Sequence, residues 1–456
     1  MTLRLLAFDR DRASRLADGA AVALAASLPW STSATAILVV VWLIAAVPAL
    51  DWLALRKMIV IPAGALPLVL VTLGVVGMFW ANVSWAERIN GISSFAKLLV
   101  IPLLLCHFIR SDRGSHVLIG FVASCMLLLI YSWVIFVWPG VPAPTSSRSL
   151  GVPVKDYISQ SSMFTICIFV MAQVAIDLWR CGRRNLAVPV FGLSLLFLAN
   201  IFYISTSRTA LVVVLILLIV FGLRAFGWKG AIGLFIGVAA LGAVAWPSAD
   251  YLRQRANNFV AEIQAYNPDG VPTSAGERLT FWTKSIGFIK SSPLIGHGTG
   301  SIRDQFKKSV VGRSGMAAQV AENPHNQILA VGIELGFAGI AVLLTMWLAH
   351  LALFRSAGLA AWVGLVVVIQ NIVGSQFNSH LFDFTHGWVY VVGVGIAGGV
   401  ALQQAPRQRG CVGGENARID RTGAPAKSSR QLLKHGIVAD NRSGALANQE
   451  DHRVPL

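Results

Sequence analysis

Charge is what this sequence has least of. Of its 456 residues, 13% are Asp, Glu, Lys or Arg, against about 25% in a soluble domain of ordinary composition. That scarcity excludes a soluble globular enzyme. Cysteine is scarce too: Cys106, Cys125, Cys167, Cys181 and Cys411, five in all. Four fall in or beside apolar runs and none shows C-x-x-C spacing, so neither a disulfide framework nor a zinc site is indicated. The apolar runs lack the alternation that a membrane β-barrel requires. There is no Walker-type glycine loop and no G-x-S-x-G elbow, which removes phosphate-loop nucleotidases and α/β-hydrolases.

What is there is apolar. Hydrophobic residues make up 55% of the chain and the mean hydropathy is +0.66. Several runs reach about 20 residues, the length of a bilayer-spanning helix. The pattern predicts an all-α integral membrane protein. About twelve spans are expected, at 16–30, 31–50, 58–80, 89–109, 115–138, 158–178, 186–205, 209–227, 229–246, 325–350, 358–375 and 384–403. The first is read as a retained span rather than a signal peptide, because no small-residue cleavage site follows it. Net charge is +16, yet it is distributed by topology instead of clustering on one face, so a nucleic-acid partner is not expected. With the N-terminus inside, inner segments hold fourteen Lys and Arg against four in the short outer ones, Arg88, Arg148, Lys155 and Arg208. That bias puts both termini in the cytoplasm.

Four regions follow: spans one to nine over 1–246, an outer loop over 247–324, spans ten to twelve over 325–404, and a tail over 405–456. The tail carries nine basic residues in a polar, Gly/Ser-rich stretch, which reads as a disordered cytoplasmic extension. A loop as long as 247–324 is seldom shapeless. Ser274-Ala275-Gly276-Glu277 resembles a capping box, and Leu279, Trp282, Ile286 and Ile289 recur at helical spacing. An amphipathic helix is expected over 278–290, lying near the membrane or capping a cavity. Gly296-His297-Gly298-Thr299-Gly300 then forms a loop.

The candidate chemistry sits on the outer side. Arg208 lies between two apolar runs, where an arginine either snorkels to the interface or faces a wet cavity and binds an anion. Arg278 begins the amphipathic helix and could pair with Glu277. Arg148 and Lys155 share an outer loop and could be plain solvated charges. All four run against the usual charge bias, and guanidinium forks match phosphate oxygens. His325 stands in Asn323-Pro324-His325-Asn326, just before a long apolar run. Asn323 is expected as N-cap and Pro324 in the first turn. The positive helix end would then keep His325 neutral and able to accept a proton. His380, Asp383 and His386 form a further cluster, in which His380 and Asp383 could share a proton or merely cap a helix. It is a weak metal signal, and no metal is expected. Outer acidic groups are few and show no D-x-D spacing, so arginines would have to hold any leaving diphosphate.

His325-Asn326, nine residues, then Gly336-Phe337-Ala338-Gly339 resembles the H-[NSQ]-x9-G-x-x-G pattern of O-antigen ligases. Ser205 to Arg208 resembles that family's arginine before a span. Glu277-Arg278 through Gly300 resembles its arginine-bearing outer helix and glycine loop, and Asn378 through Trp388 its Asp-Phe-Thr stretch. The likeness covers roughly 30–400 and leaves out the tail. It implies an enzyme without cofactor in the Gram-negative inner membrane, with a periplasmic active site. The implied reaction moves O-antigen from undecaprenyl diphosphate to a lipid A-core hydroxyl, inverting and metal-independent. It implies that His325 handles the hydroxyl proton and that Arg208 and Arg278 hold the diphosphate. Arg148, Lys155, Asn326, His380 and Asp383 remain further substrate-binding candidates. O-antigen polymerases and O-linked oligosaccharyltransferases belong to the same superfamily and stay open. So does an anionic-lipid transporter or flippase, although no internal repeat supports it.

Overall fold

The computed structural model describes residues 9–142, 150–245, 254, 257–258, 261–268 and 270–422. Among them the regular structure is helical and no strand occurs. The helices are α1 (Arg10–Ser27), α2 (Thr32–Ala46), α3 (Trp52–Val60), α4 (Pro62–Gly77) and α5 (Trp85–Ala96). They continue with α6 (Val100–Phe108), α7 (Gly114–Val137), α8 (Tyr157–Arg180), α9 (Arg184–Tyr203) and α10 (Arg208–Ala245). Then come α11 (Ser274–Ser291), α12 (Ile302–Ser309), α13 (Gln327–Leu353), α14 (Leu359–Gly374) and α15 (Phe384–Thr422).

Many starts are capped by the residue types that satisfy free first-turn amides. Asp9, Ser31 and Asp156 accept backbone N–H bonds at the heads of α1, α2 and α8. Ser84 and Glu87 form a full capping box at α5. Among the described residues, eight helical segments are long and apolar enough to cross a membrane, or nine if α3 and α4, bent by 81°, make one span. The chain is therefore a multi-pass, all-α membrane protein. Helix lengths alone do not return twelve spans, for three reasons. Arg10, Arg12, Arg15 and Asp18 make α1 too polar, and Asp18 is held inside by His107 and Ser111. Helix α14 has only 16 residues. The runs 209–227 and 229–246 join into α10, interrupted only at Gly227. The disordered tail placed at 405–456 lies outside the described residues from 423 onward.

Hydropathy does not say which helices are central; burial does. The apolar windows of α8 and α15 are 72% and 78% buried, against 22% for α2 and 28% for α9 and α10. Helix α8 accordingly carries polar side chains inward. Gln160 donates to Ser132 and to Asn200, and Asn200 donates to Ser132, tying α7, α8 and α9 together. Interhelical hydrogen bonds of this kind hold membrane bundles where the hydrophobic effect between helices is weak.

One span is spliced. Helix α13 breaks at Gly336, whose φ of 61° and ψ of −158° are not helical. The break parts the carbonyls of Ile333 and Glu334 from the amides of Phe337 and Ala338, their helical partners four residues on. The 293–300 segment replaces both sides. His297 and Gly298 donate to Ile333 O and Glu334 O, each at 2.8 Å, while Phe337 and Ala338 donate to Pro293 O (2.7 Å) and Leu294 O (3.1 Å). In a membrane such groups must find partners inside the protein. Thr299 docks the same loop on α4 through Gly77 O at 3.1 Å, and Gly300 N–H reaches the Glu334 carboxyl at 2.8 Å. Gly298 and Gly336 both have positive φ. A Cβ on Gly298 would stand 2.5 Å from Ala81 Cα, and one on Gly336 2.5 Å from the Leu294 carbonyl carbon. The glycine loop is thus a structural plug that completes the helix behind His325.

Candidate functional site

Arg208 is the first residue of α10. The preceding Ser205 is fully buried, with its hydroxyl on Asn200 Oδ1, and Ser207 caps the Ala210 amide. Arg278 lies in the second turn of α11. A cation near a helix start opposes the helix dipole, so neither arginine is placed there to stabilise its own helix. Both line one cavity of about 450 Å³ with Glu262, Tyr266, Trp282 and Phe377, whose remaining walls are mainly apolar. Burial pulls Arg278 below the ordinary guanidinium range, and the neighbouring Arg208 charge adds to that. Arginine stays protonated even so. Two guanidinium groups close to helix starts, lining one largely apolar cavity, are chemically suited to holding an anion.

Helix α11 closes this cavity, though not as its sequence pattern suggests. Its N-cap is Thr273, which accepts the Gly276 amide, so Glu277 falls outside the capping-box position. Glu277 accepts from Gln319 at 2.9 Å, while Arg278 reaches Ser274 at 3.5 Å; the alternative Arg278–Glu277 pair does not form among the described residues. The buried face is Gly276, Thr280, Phe281, Ser285 and Ile289. Leu279 and Ile286 point outward, with Leu279 and Trp282 lining the cavity.

His325 sits across α11, its ring stacked on Phe281 at 6.1 Å between centroids. The N-cap of α13 is Asn326 and not Asn323. Asn326 has extended backbone angles, and its side-chain oxygen accepts the amides of Ile328 and Leu329. His325 therefore precedes the helix, with φ at +54°, a strained setting for a non-glycine residue. Asn323 holds that turn by accepting the His325 amide at 2.8 Å. The imidazole Nδ1 lies 3.2 Å from Asn378 Oδ1. The same oxygen accepts the Ser379 backbone amide at 2.9 Å, which can only donate. The atom is thus an acceptor, Nδ1 carries the proton, and Nε2 is left as the proton acceptor. Burial holds His325 below the usual histidine range; the Asn378 bond opposes this and the Arg278 charge reinforces it.

The remaining sequence candidates divide. Asp383 does not pair with His380. Its Oδ1 takes His386 Nδ1 at 2.7 Å and the His386 amide at 2.8 Å. Those bonds and the His386 charge hold the Asp383 carboxyl far below its ordinary range, against the effect of burial. His380 is 4% exposed and stacks on His386 at 4.1 Å, so it is enclosed by protein. Lys155 donates to Leu28 O at 2.5 Å and Thr385 at 3.3 Å, and burial lowers it to about 8. Asn326 spends its oxygen on the cap and its nitrogen on Gln376 O. Arg148 lies outside the described residues.

Sequence reasoning missed Asn378 as the group that orients His325. It also missed Lys97, which donates to Phe382 O and Asp383 O at 3.0 and 2.8 Å and fixes the turn before α15. No local pattern marks either, because each acts across the fold.

A family model described as O-antigen ligase matches residues 193–344. No curated protein matches the chain. The matched stretch contains Arg208, Arg278, the glycine loop, His325 and the break at Gly336, while Asn378 and Asp383 lie beyond it. Over this stretch, about a third of the chain, the protein is similar to the O-antigen ligase family.

Proposed function

We propose that the protein transfers O-antigen polysaccharide from undecaprenyl diphosphate to a sugar hydroxyl of lipid A-core. The reaction takes place at the periplasmic face of the inner membrane, in a twelve-span topology with both termini cytoplasmic. The observation that carries this reading is the shared cavity of Arg208 and Arg278, with His325 outside its lining but within reach of the Arg278 charge and its Nδ1 engaged by Asn378. Nε2 takes the proton of the acceptor hydroxyl. The hydroxyl oxygen attacks the anomeric carbon on the face opposite the diphosphate, the carbon–diphosphate bond breaks, and the configuration inverts. Arg208 and Arg278 neutralise the charge that develops on the leaving diphosphate, the task a divalent cation performs elsewhere. The apolar walls suit the first isoprene units beside that diphosphate. Asp383, whose side chain is 38% exposed despite its bond to His386, is available to an acceptor hydroxyl.

The test is transfer by purified protein in liposomes, given undecaprenyl-diphosphate-linked glycan and lipid A-core, with and without EDTA. Glycan on lipid A-core that persists in EDTA and is lost in His325→Ala supports the proposal. Lengthened donor chains would move the function to a polymerase, and a glycosylated protein to an oligosaccharyltransferase. Loss of product in EDTA would overturn the metal-independent mechanism.

A further inference from the structure

The hydrogen-bond network of His325 does not end at Asn378. The Asn378 oxygen that meets its Nδ1 also accepts from Asn323, whose Nδ2 donates at 2.8 Å. Asn323 turns its own oxygen the other way. That atom accepts the His325 backbone amide at 2.8 Å and the Ser379 hydroxyl at 2.7 Å. Ser379 in turn donates its backbone amide to Asn378 Oδ1 at 2.9 Å. Asn323, Asn378 and Ser379 thus close a ring of bonds around the turn that carries the imidazole. The described side-chain bonds of Asn323 all go to His325 or to the two residues that hold it.

Donor and acceptor chemistry fixes both amides. A backbone N–H only donates, so the oxygen of Asn323 faces His325 and its NH2 group faces Asn378. The oxygen of Asn378 faces Ser379 for the same reason. Turning the Asn378 amide over would set its NH2 against the Ser379 N–H and the Asn323 NH2, two donor–donor contacts at hydrogen-bond distance. The His325 contact is the longest of the three at 3.2 Å, so the ring follows the orientation that the other two impose. The backbone needs holding too. His325 has φ at +54°, a conformation that persists in a non-glycine residue only where its surroundings over-determine it. The Asn323–His325 bond is an Asx turn, and the buried Pro324 between them narrows its alternatives.

We propose that Asn323 is a positioning residue for His325. Its oxygen sets the turn that presents the imidazole, and its nitrogen locks Asn378 with the acceptor end towards Nδ1. Asn323 is not part of the Arg208–Arg278 cavity lining and acts on the reaction only through His325. Its part in transfer rests on the function proposed above; its hold on the ring does not.

The test follows the ring itself, in the full chain in lipid nanodiscs with nitrogen-15-labelled histidine. The His325 signal is assigned by its loss in His325→Ala, and spectra are taken at mildly alkaline pH, where the ring is neutral. The wild type should show the Nδ1–H tautomer. Asn323→Asp keeps an acceptor for the His325 amide but sets a second acceptor against Asn378. That should turn the Asn378 amide over and move the ring proton to Nε2. Asn323→Ser, the gentler change, keeps a turn-forming oxygen without the NH2 group and should give a mixture of tautomers. An Nε2–H ring in the wild type, or an Nδ1–H ring unchanged in the variants, would overturn the proposal. A second arm measures transfer in liposomes. Asn323→Asp should lose about 100-fold in kcat, the usual cost of displacing a reacting group by about 1 Å. KM for the donor lipid should change little, because the arginines are untouched. Loss of kcat with an unchanged tautomer would mean plain structural damage and sink the idea. A ring turned over with normal transfer would uphold the positioning and remove His325 as the base.

Discussion

Two histidines in this protein are oriented through the same ring nitrogen by opposite means. His325 gives its Nδ1 proton to the neutral amide oxygen of Asn378. His386 gives its own to the carboxylate of Asp383. The first is half-buried within reach of the Arg278 charge; the second is buried, stacked on His380. An orienting partner at Nδ1 therefore does not by itself make a base. Access decides whether Nε2 can meet a substrate, and the orienting group decides how readily the ring charges. A carboxylate beside His325 would favour imidazolium, which cannot accept a proton. An amide orients without that penalty.

The contrast can be broken most directly by removing each ring. His325→Ala should lower transfer by about 100–10,000-fold, the usual worth of a positioned acid–base group, in protein that still binds donor lipid. His386→Ala should act mainly on thermal unfolding. Normal transfer by folded His325→Ala, with transfer lost in folded His386→Ala, would reverse the assignment. Next in size are the cations in the cavity beside the first histidine. Arg208→Ala and Arg278→Ala should each raise the barrier by about 2.7–4 kcal/mol, roughly 100–1,000-fold in rate. The corresponding lysine variants should recover only part, because the fork is lost. Unchanged single-turnover rates in both alanine variants would remove the arginines from the site.

Smaller effects sharpen the comparison. Asn378→Asp would turn the first site into a copy of the second. Wild-type activity should fall only as pH drops through the His325 pKa, which burial places below the usual histidine range. The new carboxylate should raise that pKa by about 1 unit or more, moving the acidic limb of kcat/KM against pH upward. A limb that stays in place would show that His325 is not the titrating base. The reverse exchange, Asp383→Asn, replaces a charge-assisted bond by a neutral one and should lower stability by about 1 kcal/mol. Calorimetry showing a gain in stability would mean that the buried carboxylate is a net liability.

How far the sequence could be read varies with how local each feature is. The apolar runs located nearly every long helix, because a span is a property of consecutive residues. They could not separate α8 from α2, since inward and lipid-facing helices are both apolar and differ only in their neighbours. The glycines of 296–300 and 336 were visible as a pattern, yet their purpose was not. They let two backbones approach closely enough to exchange four hydrogen bonds. Capping was misjudged twice, at Asn323 and Ser274, because each stands near a second competent cap, Asn326 and Thr273.

The sequence by itself determined a multi-pass helical membrane protein, the side-chain types available for anion binding and proton transfer, and their placement at helix starts. These depend on hydropathy and local backbone preference. The tertiary structure decided that Arg208 and Arg278 share a cavity, that Asp383 serves His386, and that Asn378 sets the tautomer of His325 from 53 residues away. A hydrogen bond needs its partner at about 3 Å in the right direction, and for residues so far apart only the packed bundle supplies that.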